Sequence, residues 1–361
     1  MFLKNLSLFN FKNYTEAEFQ FEQGANAITG ENGSGKTNIL DAIHYLCLCK
    51  SYFHSTDSLN IRHEQGFFSI HGHFDIDGNS EDIFVGLKSG QKKIVKRNQK
   101  EYQRLGEHIG FLPVVMVAPV DHELITGSSE LRRKLMDSII CQYDRPYLDD
   151  LINYNRVLQQ RNAMLKQTAK GGVEDPSLWL VWDEQLNHYG ARIFAAREHF
   201  IERFVPLFNR FYNYLTQEKE TVSVKYESQL QKDSLLNLLQ RNAQRDRMMQ
   251  YTTAGIQRDD LELLLNDYPV KRTGSQGQQK SFVLAMKLAQ FELMREAKGV
   301  KPILLMDDIF DKLDVMRITR LMELVSQDTF GQIFITDTRE DHVKEVFKSI
   351  NVPLQIYPCL K

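Results

Sequence analysis

Residues 30–37 read GENGSGKT and match G-x-x-x-x-G-K-[ST] at every fixed position. Gly30, Gly33 and Gly35 free the backbone to wrap an anion so that successive amides point inward. Glu31, Asn32 and Ser34 fill the loop between them, and Asn38 follows it in the first helical turn. Lys36 adds a full positive charge, and Thr37 offers a hydroxyl of the kind that Mg²⁺ accepts. Together they can take the β and γ phosphates of a nucleoside triphosphate, which makes ATP with Mg²⁺ the expected ligand.

A second chemistry lies near the other end. Residues 303–308 read ILLMDD, a buried-type strand ending in two carboxylates. Asp307 would hold Mg²⁺ opposite Thr37, and Asp308 would orient or deprotonate an attacking water. Lys36 and Asp308 are therefore the candidate catalytic pair. Between the two motifs, residues 272–281 read RTGSQGQQKS and open an apolar helix. Such a loop caps a helix. Its spacing before the acidic strand is also that of the signature loop of ABC-type ATPases, with Ser275, Gln276, Gly277 and Gln278 giving S-x-G-Q. In that class the signature loop touches ATP held by a second subunit, so an ATP-dependent homodimer is expected. Asp314, in the loop after the acidic strand, takes the D-loop position.

The elements around these motifs agree with the chemistry. NAIT precedes the phosphate loop as a strand, and NILDAIHYL follows it with helical spacing. Strand-like runs such as GFFSIHGHFDI, EDIFVGLKS and FLPVVMVAP come next, separated by hairpin turns. From about Ser128 to Gln250 the texture is helical throughout, and strands return in LELLLNDYPV, KPILLMDDIF and GQIFITDT. The expected fold is α/β: an ABC-type P-loop ATPase head split in sequence, with an inserted helical lobe. Its parts are 1–127 (phosphate loop and a β-rich subdomain), 128–250 (the lobe) and 251–361 (signature loop and acidic strand). No heptad run is long enough for an extended coiled coil.

With 42% hydrophobic residues, 25% charged residues and a net charge of -2, the composition is that of a globular protein without a bulk basic signal. Any nucleic-acid contact must therefore use a local patch. Cys47, Cys49, Cys141 and Cys359 form no zinc-type spacing, and the first two read as buried thiols. The longest apolar run, FLPVVMVAPV, is too short to span a bilayer. A cytoplasmic protein with no membrane segment is expected.

Several stretches together resemble the RecF family of SMC-like bacterial repair ATPases. They are FKNY at 11–14, GENGSGKTN, VVMVAPVD ending at Asp121, LRRKLMD at 131–137, GIQRDDL at 255–261, SQGQQKS and LLMDDIFDKLD. Departures are local: His54 stands where the family has Arg, Ile256 and Gln257 where it has Pro-His, and Lys312 where it has Glu. The resemblance implies a dimer that closes on two ATP molecules, holds DNA at gaps and at single-strand to double-strand junctions, and releases it on hydrolysis. It also implies partnership with RecR, and with RecO in the same pathway, in loading recombinase and supporting the SOS response. An Asp rather than a Glu at 308 suggests slow turnover.

For DNA, the run Lys88, Lys92, Lys93, Lys96, Arg97, Lys100 places six cations within thirteen residues around a hairpin turn. Lys92, Lys93, Lys96 and Arg97 are its centre. Such a run reads either as a phosphate-contacting patch or as a solvated hairpin. Arg241, Arg245 and Arg247 form a second, weaker candidate, and Arg132 and Arg133 read as the outer face of a helix. Two rival functions stand beside this reading. One is the nucleotide-binding subunit of a membrane transporter. The other is an ATPase-coupled nuclease, for which the only acidic candidate, DIDG at 75–78, reads better as a turn.

Overall fold

The strand before the phosphate loop and the helix after it both lie inside layers. The computed structural model describes residues 1–172, 176–217, 220–310, 315–326 and 330–359. They divide into two compact units. The first is Met1–His122, Arg210–Lys219 and Ser275–Lys361; the second is Glu123–Asn209 and Glu220–Gly274.

Two sheets build the first unit. One is antiparallel, from β1 (Phe2–Phe11), β2 (Tyr14–Gln20), β4 (Phe67–Ile76), β5 (Asn79–Lys88), β6 (Ile94–Arg97) and β7 (Lys100–Glu101), in the order β2-β1-β4-β5-β6-β7. The other is parallel, from β3 (Ala25–Thr29), β8 (Val114–Val117), β12 (Ile303–Met306), β13 (Ile333–Asp337) and β14 (Leu354–Pro358), in the order β14-β3-β13-β12-β8. Strands β3, β13 and β12 and the edge strand β8 are buried along their whole length, as parallel strands covered on both faces must be. Helix α1 (Lys36–Leu48) touches β4 and β5 of one sheet and β8, β12 and β13 of the other. Being sandwiched explains why it is apolar on nearly every side, from Ile39 to Leu48. Cys47 and Cys49 are free and buried there. Helices α8 (Gln276–Lys298), α9 (Val315–Ser326) and α10 (Glu340–Ser349) complete the unit, with α8 packed on β8.

The second unit holds helices α2 (Glu123–Thr126), α3 (Ser129–Tyr143), α4 (Arg145–Thr168), most of α5 (Pro176–Thr216), α6 (Leu235–Met249) and α7 (Val270–Thr273). It also holds a three-stranded sheet, β11 (Tyr268–Pro269), β10 (Asp260–Leu265) and β9 (Val222–Glu227). One expectation is corrected here. The stretch 128–250 is not helical throughout, because VSVKYE forms β9 and pairs antiparallel with β10. Strand β10 lies in the second unit with this partner strand.

Arg132 and Arg133 do not form an outer face. Arg132 grips Asp260 through two bonds of 2.7 and 2.9 Å, and Arg133 donates to the Asp259 carbonyl at 2.6 Å. Buried Arg197 bonds Asp259 at 2.6 Å and Asp137 at 2.8 Å. The family-like segments LRRKLMD and GIQRDDL are therefore largely one ionic network. Gln257 accepts from Tyr154 at 2.5 Å and donates to the Ala254 carbonyl at 2.8 Å, so it too is a packing residue. DIDG is a hairpin turn: Asp75 accepts from the Gly78 amide at 2.9 Å and pairs with Lys4 at 2.8 Å. Among the described residues, no helix is long and apolar enough to cross a membrane.

Candidate nucleotide site

The C-terminal ends of parallel strands are where α/β sheets hold ligands, and the site lies there. Strand β3 ends at Thr29 and the chain enters the loop with φ of 154° at Gly30, 82° at Gly33 and 108° at Gly35. These are glycine conformations, and Gly35 is the N-cap of α1. The amides of the first turn of α1 therefore face the loop with no side-chain cap of their own. Lys36 folds back over the loop, donating to the carbonyls of Gly30 at 2.7 Å and Glu31 at 2.8 Å. The buried Ser34 hydroxyl has no protein partner, which suits a loop built to receive an acceptor from outside.

The loop is braced from both ends of the chain. Asn13, in the turn after β1, donates to the Ser34 carbonyl at 3.1 Å and accepts from Asn38 at 2.7 Å. Tyr14 donates to the Gly35 carbonyl at 3.2 Å and meets Cys359 at 3.1 Å. Burial keeps the Tyr14 hydroxyl protonated by raising its pKa. These contacts explain FKNY, which the motif spacing alone left without a role.

Across from α1, strand β12 delivers Asp307 and Asp308. Asp307 accepts from Thr37 and from Thr336, both at 2.8 Å on the same oxygen. Burial pushes its carboxyl above the usual range, the two hydroxyl bonds oppose this, and the neighbouring charge of Asp308 adds to it. Asp308 adopts the left-handed conformation, φ 49°, with its amide donating to Thr336 at 2.9 Å. One pocket gathers Gly33, Gly35, Lys36, Thr37, Asp307 and Asp308 together with Asn32, Asn38, Pro119 and Thr336. Thr336 and Pro119 were missed in the sequence. A polar residue at the end of the strand IFIT was the available signal for Thr336.

The donor set is one buried carboxylate, two hydroxyls and no cluster of three acidic or imidazole groups among the described residues. That fits Mg²⁺, which keeps waters and phosphate oxygens and uses one or two carboxylates.

Ser275 caps α8. Its hydroxyl accepts from the Gln278 amide at 3.3 Å, and the Gln278 side chain accepts from the Ser275 amide at 2.6 Å. A serine hydroxyl that accepts in this way still has its proton to donate. Arg317 donates to Ser281 at 2.5 Å, and Ser281 to the Gly277 carbonyl at 3.0 Å, fixing the first turn. Ser275, Gln276, Gly277 and Gln278 do not line the pocket that holds the phosphate loop. Asp314 lies outside the described residues.

Of the hairpin cations, Lys93 is committed to Asp57 at 2.7 Å and Arg97 to Glu81 at 2.6 and 2.8 Å. Lys96 lies 5.9 Å from the Phe84 ring centroid, and Lys92 is exposed. Arg241 pairs with Asp233 at 2.6 Å.

A family model described as AAA domain matches residues 5–298. The DNA replication and repair protein RecF of Phocaeicola vulgatus is 48% identical over 99% of this chain and 96% of its own length. That of Flavobacterium johnsoniae is 47% identical over 99% of both. A solved structure of the recombination mediator protein RecF-ATP in the RecFOR pathway superposes with a TM-score of 0.87 at 31% identity, covering 94% of this chain and 92% of that one. An Smc head bound to the C-winged helix domain of ScpA, at 17% identity and a TM-score of 0.56 over 97% of this chain and 92% of that one, shares the fold. With identity near one half sustained from end to end and the same head architecture, the chain belongs to the RecF family of DNA replication and repair proteins, on the ABC-type ATPase head fold.

Proposed function

We propose that the protein is an ATP-driven DNA-binding switch of recombinational repair and replication-fork maintenance. Two copies close on two ATP molecules. Each ATP is bound by one copy's phosphate loop, and its γ-phosphate is met by Ser275 to Gln278 of the other. The closed dimer holds DNA at gaps and junctions, and slow hydrolysis opens it. Through RecR, and with RecO in the same pathway, this helps load recombinase in the cytoplasm and supports the SOS response.

The observation that carries the reading is the separation of the two phosphate-binding devices. The signature turn is an ordered, cap-satisfied helix start with a spare hydroxyl proton, yet it contributes nothing to the pocket of its own phosphate loop. A second copy is what would give it a phosphate to touch, and two identical loops then make a symmetric interface.

Within one copy, Lys36 exchanges its loop carbonyls for the β and γ phosphate oxygens. Thr37 and Asp307 hold the Mg²⁺ that neutralises phosphate charge when it is bound. Asp308 orients the attacking water and accepts its proton, and its left-handed backbone aims the shorter side chain. The Asp side chain supports slow turnover, and Asp314 belongs to the same reading as a D-loop residue. The test is affinity for gapped DNA with and without ATP and Mg²⁺. The reading expects a gain of about tenfold or more, within the usual range of coupling between two ligands; affinity independent of ATP contradicts it.

A further inference from the structure

Phe9 and Phe67 stack on the surface of the antiparallel sheet, with ring centroids 5.6 Å apart and planes 24° from parallel. They remain 37% and 45% exposed. An isolated exposed phenylalanine is ordinary, but two stacked rings in a row of further apolar groups are not. The strand register extends that row. Ser69 faces Gly86, and Gly86 faces Ile94, which is 39% exposed. One step along the strands, His71 faces Phe84, and Phe84 faces Lys96. A Cβ on Gly86 would sit 3.0 Å from the Phe84 ring, so that ring lies across the glycine. The result is a floor of Phe9, Phe67, Phe84 and Ile94.

Charge is distributed unevenly around this floor. On one side Lys88 stands directly opposite Phe67, and Lys96 lies over Phe84. On the other, Glu16 stands opposite Phe9 and Glu18 opposite Ser7. Glu101 faces Lys96 from β7. Asp82, two residues before Phe84 on β5, pairs with His73 at 2.8 Å on the same face, so a polyanion laid here meets cations at Lys88 and Lys96 beside Phe67 and Phe84 and is kept off the β2 edge.

We propose that the face takes the unpaired bases of single-stranded DNA, stacked on Phe67 and Phe9, with Lys88 and Lys96 meeting the phosphates. The inference rests on the DNA-binding reading above and assigns it a surface and a strand form. Duplex DNA hides its base faces and needs only cations. Exposed rings beside cations match a strand whose bases are free to stack. This also sorts the hairpin cations: Lys93 and Arg97 hold the hairpin through Asp57 and Glu81, while Lys88 and Lys96 meet the nucleic acid.

The experiment uses the full chain with ATP and Mg²⁺, a labelled oligo-dT and a blunt duplex of equal length, read by fluorescence anisotropy. The Phe9→Ala/Phe67→Ala protein is expected to lose about 10- to 100-fold in oligo-dT affinity, the worth of one or two stacked bases. Its duplex affinity and ATP affinity are expected to stay within twofold of wild type. Phe67→Tyr keeps a stacking ring and is expected to bind oligo-dT as wild type does. The proposal is overturned if the double variant binds oligo-dT normally, if it loses both probes equally, if Phe67→Tyr is as weak as the double variant, or if the double variant changes only self-association. If the wild type binds neither probe but does bind a gapped duplex, this face proposal fails while the DNA reading stands; if it binds none of the three, the DNA reading itself fails, whatever the variants do.

Discussion

The Thr37 hydroxyl lies 2.8 Å from an Asp307 carboxylate oxygen although 270 residues separate them in the chain. Thr336 contacts that same oxygen, so two strand ends and α1 are tied at one atom. The contact ties the phosphate loop to the acidic strand within one copy. It also places the charge of Asp307 in a desolvated setting.

The Asp307 contact predicts an unusual stability effect. The folded-state pKa of this carboxyl is raised by burial. A raised carboxyl favours the protonated fold, so its ionisation costs stability. That cost appears as pH rises from the unfolded value, about 3.9, through the raised folded value, and is fully present above it. Asp307→Asn keeps an acceptor for both threonines and removes the charge. Its melting temperature in metal-free buffer near neutral pH should equal or exceed that of wild type, while ATP hydrolysis is lost. A drop of several degrees would contradict this account.

For Lys36, truncation should separate folding from binding. Lys36→Ala removes two hydrogen bonds to loop carbonyls that water can replace, at a cost of about 1 kcal/mol. ATP loses a charge-assisted contact to its phosphates and should bind about 100-fold more weakly. Calorimetric titration alongside a thermal melt reads both, and a variant that unfolds outright would show the loop to be structural first.

Gly277 offers a sharper test because nothing inside one copy demands a glycine there. Its φ is not in the left-handed region, and an added Cβ would sit 3.6 Å from the Arg317 guanidinium, an ordinary contact. Gly277→Ala should therefore be as stable as wild type or up to about 1 kcal/mol more stable, the usual helical gain. It should bind ATP normally as a monomer and fail to form the ATP-dependent dimer, as light scattering would show. Normal dimerisation would mean that no phosphate approaches this turn.

Arg197 tests the second unit. Its guanidinium is buried between Asp137 and Asp259. Arg197→Ala leaves two carboxylates without their partner and should cost about 3–5 kcal/mol, measured by denaturant unfolding. A loss below about 1 kcal/mol would show that solvent reaches the site.

How far the sequence revealed this molecule depends on the range of the interactions. The phosphate loop, the acidic strand and the α8 cap are each contiguous, so their residues and spacing state the chemistry directly. Asn13 is brought in from another element and no local pattern announces it, while Thr336 had only the weak signal of a polar residue ending an apolar strand. Lys93 and Arg97 look like free cations in a basic run, but Asp57 and Glu81 neutralise them across the fold. Strand β9 carries its own signal, since VSVKYE alternates apolar and polar residues and buries the apolar ones, but six residues between long helices are easily absorbed into the helical texture, and pairing with β10 is what fixes the strand. Arg132 resembled a surface residue until Asp260, 128 positions away, was seen to hold it.

The central claim is that Ser275 meets the phosphate of a second copy's ATP, and sedimentation with and without ATP and Mg²⁺ tests it most directly. Wild type should shift from monomer to dimer at saturating nucleotide. Ser275→Arg should bind ATP and remain monomeric. Ser275→Asp keeps a good helix cap but turns a negative charge toward the phosphate, and it should also bind ATP without dimerising. Wild type that stays monomeric at saturating ATP and Mg²⁺, or an Asp variant that dimerises as readily as wild type, would contradict the account.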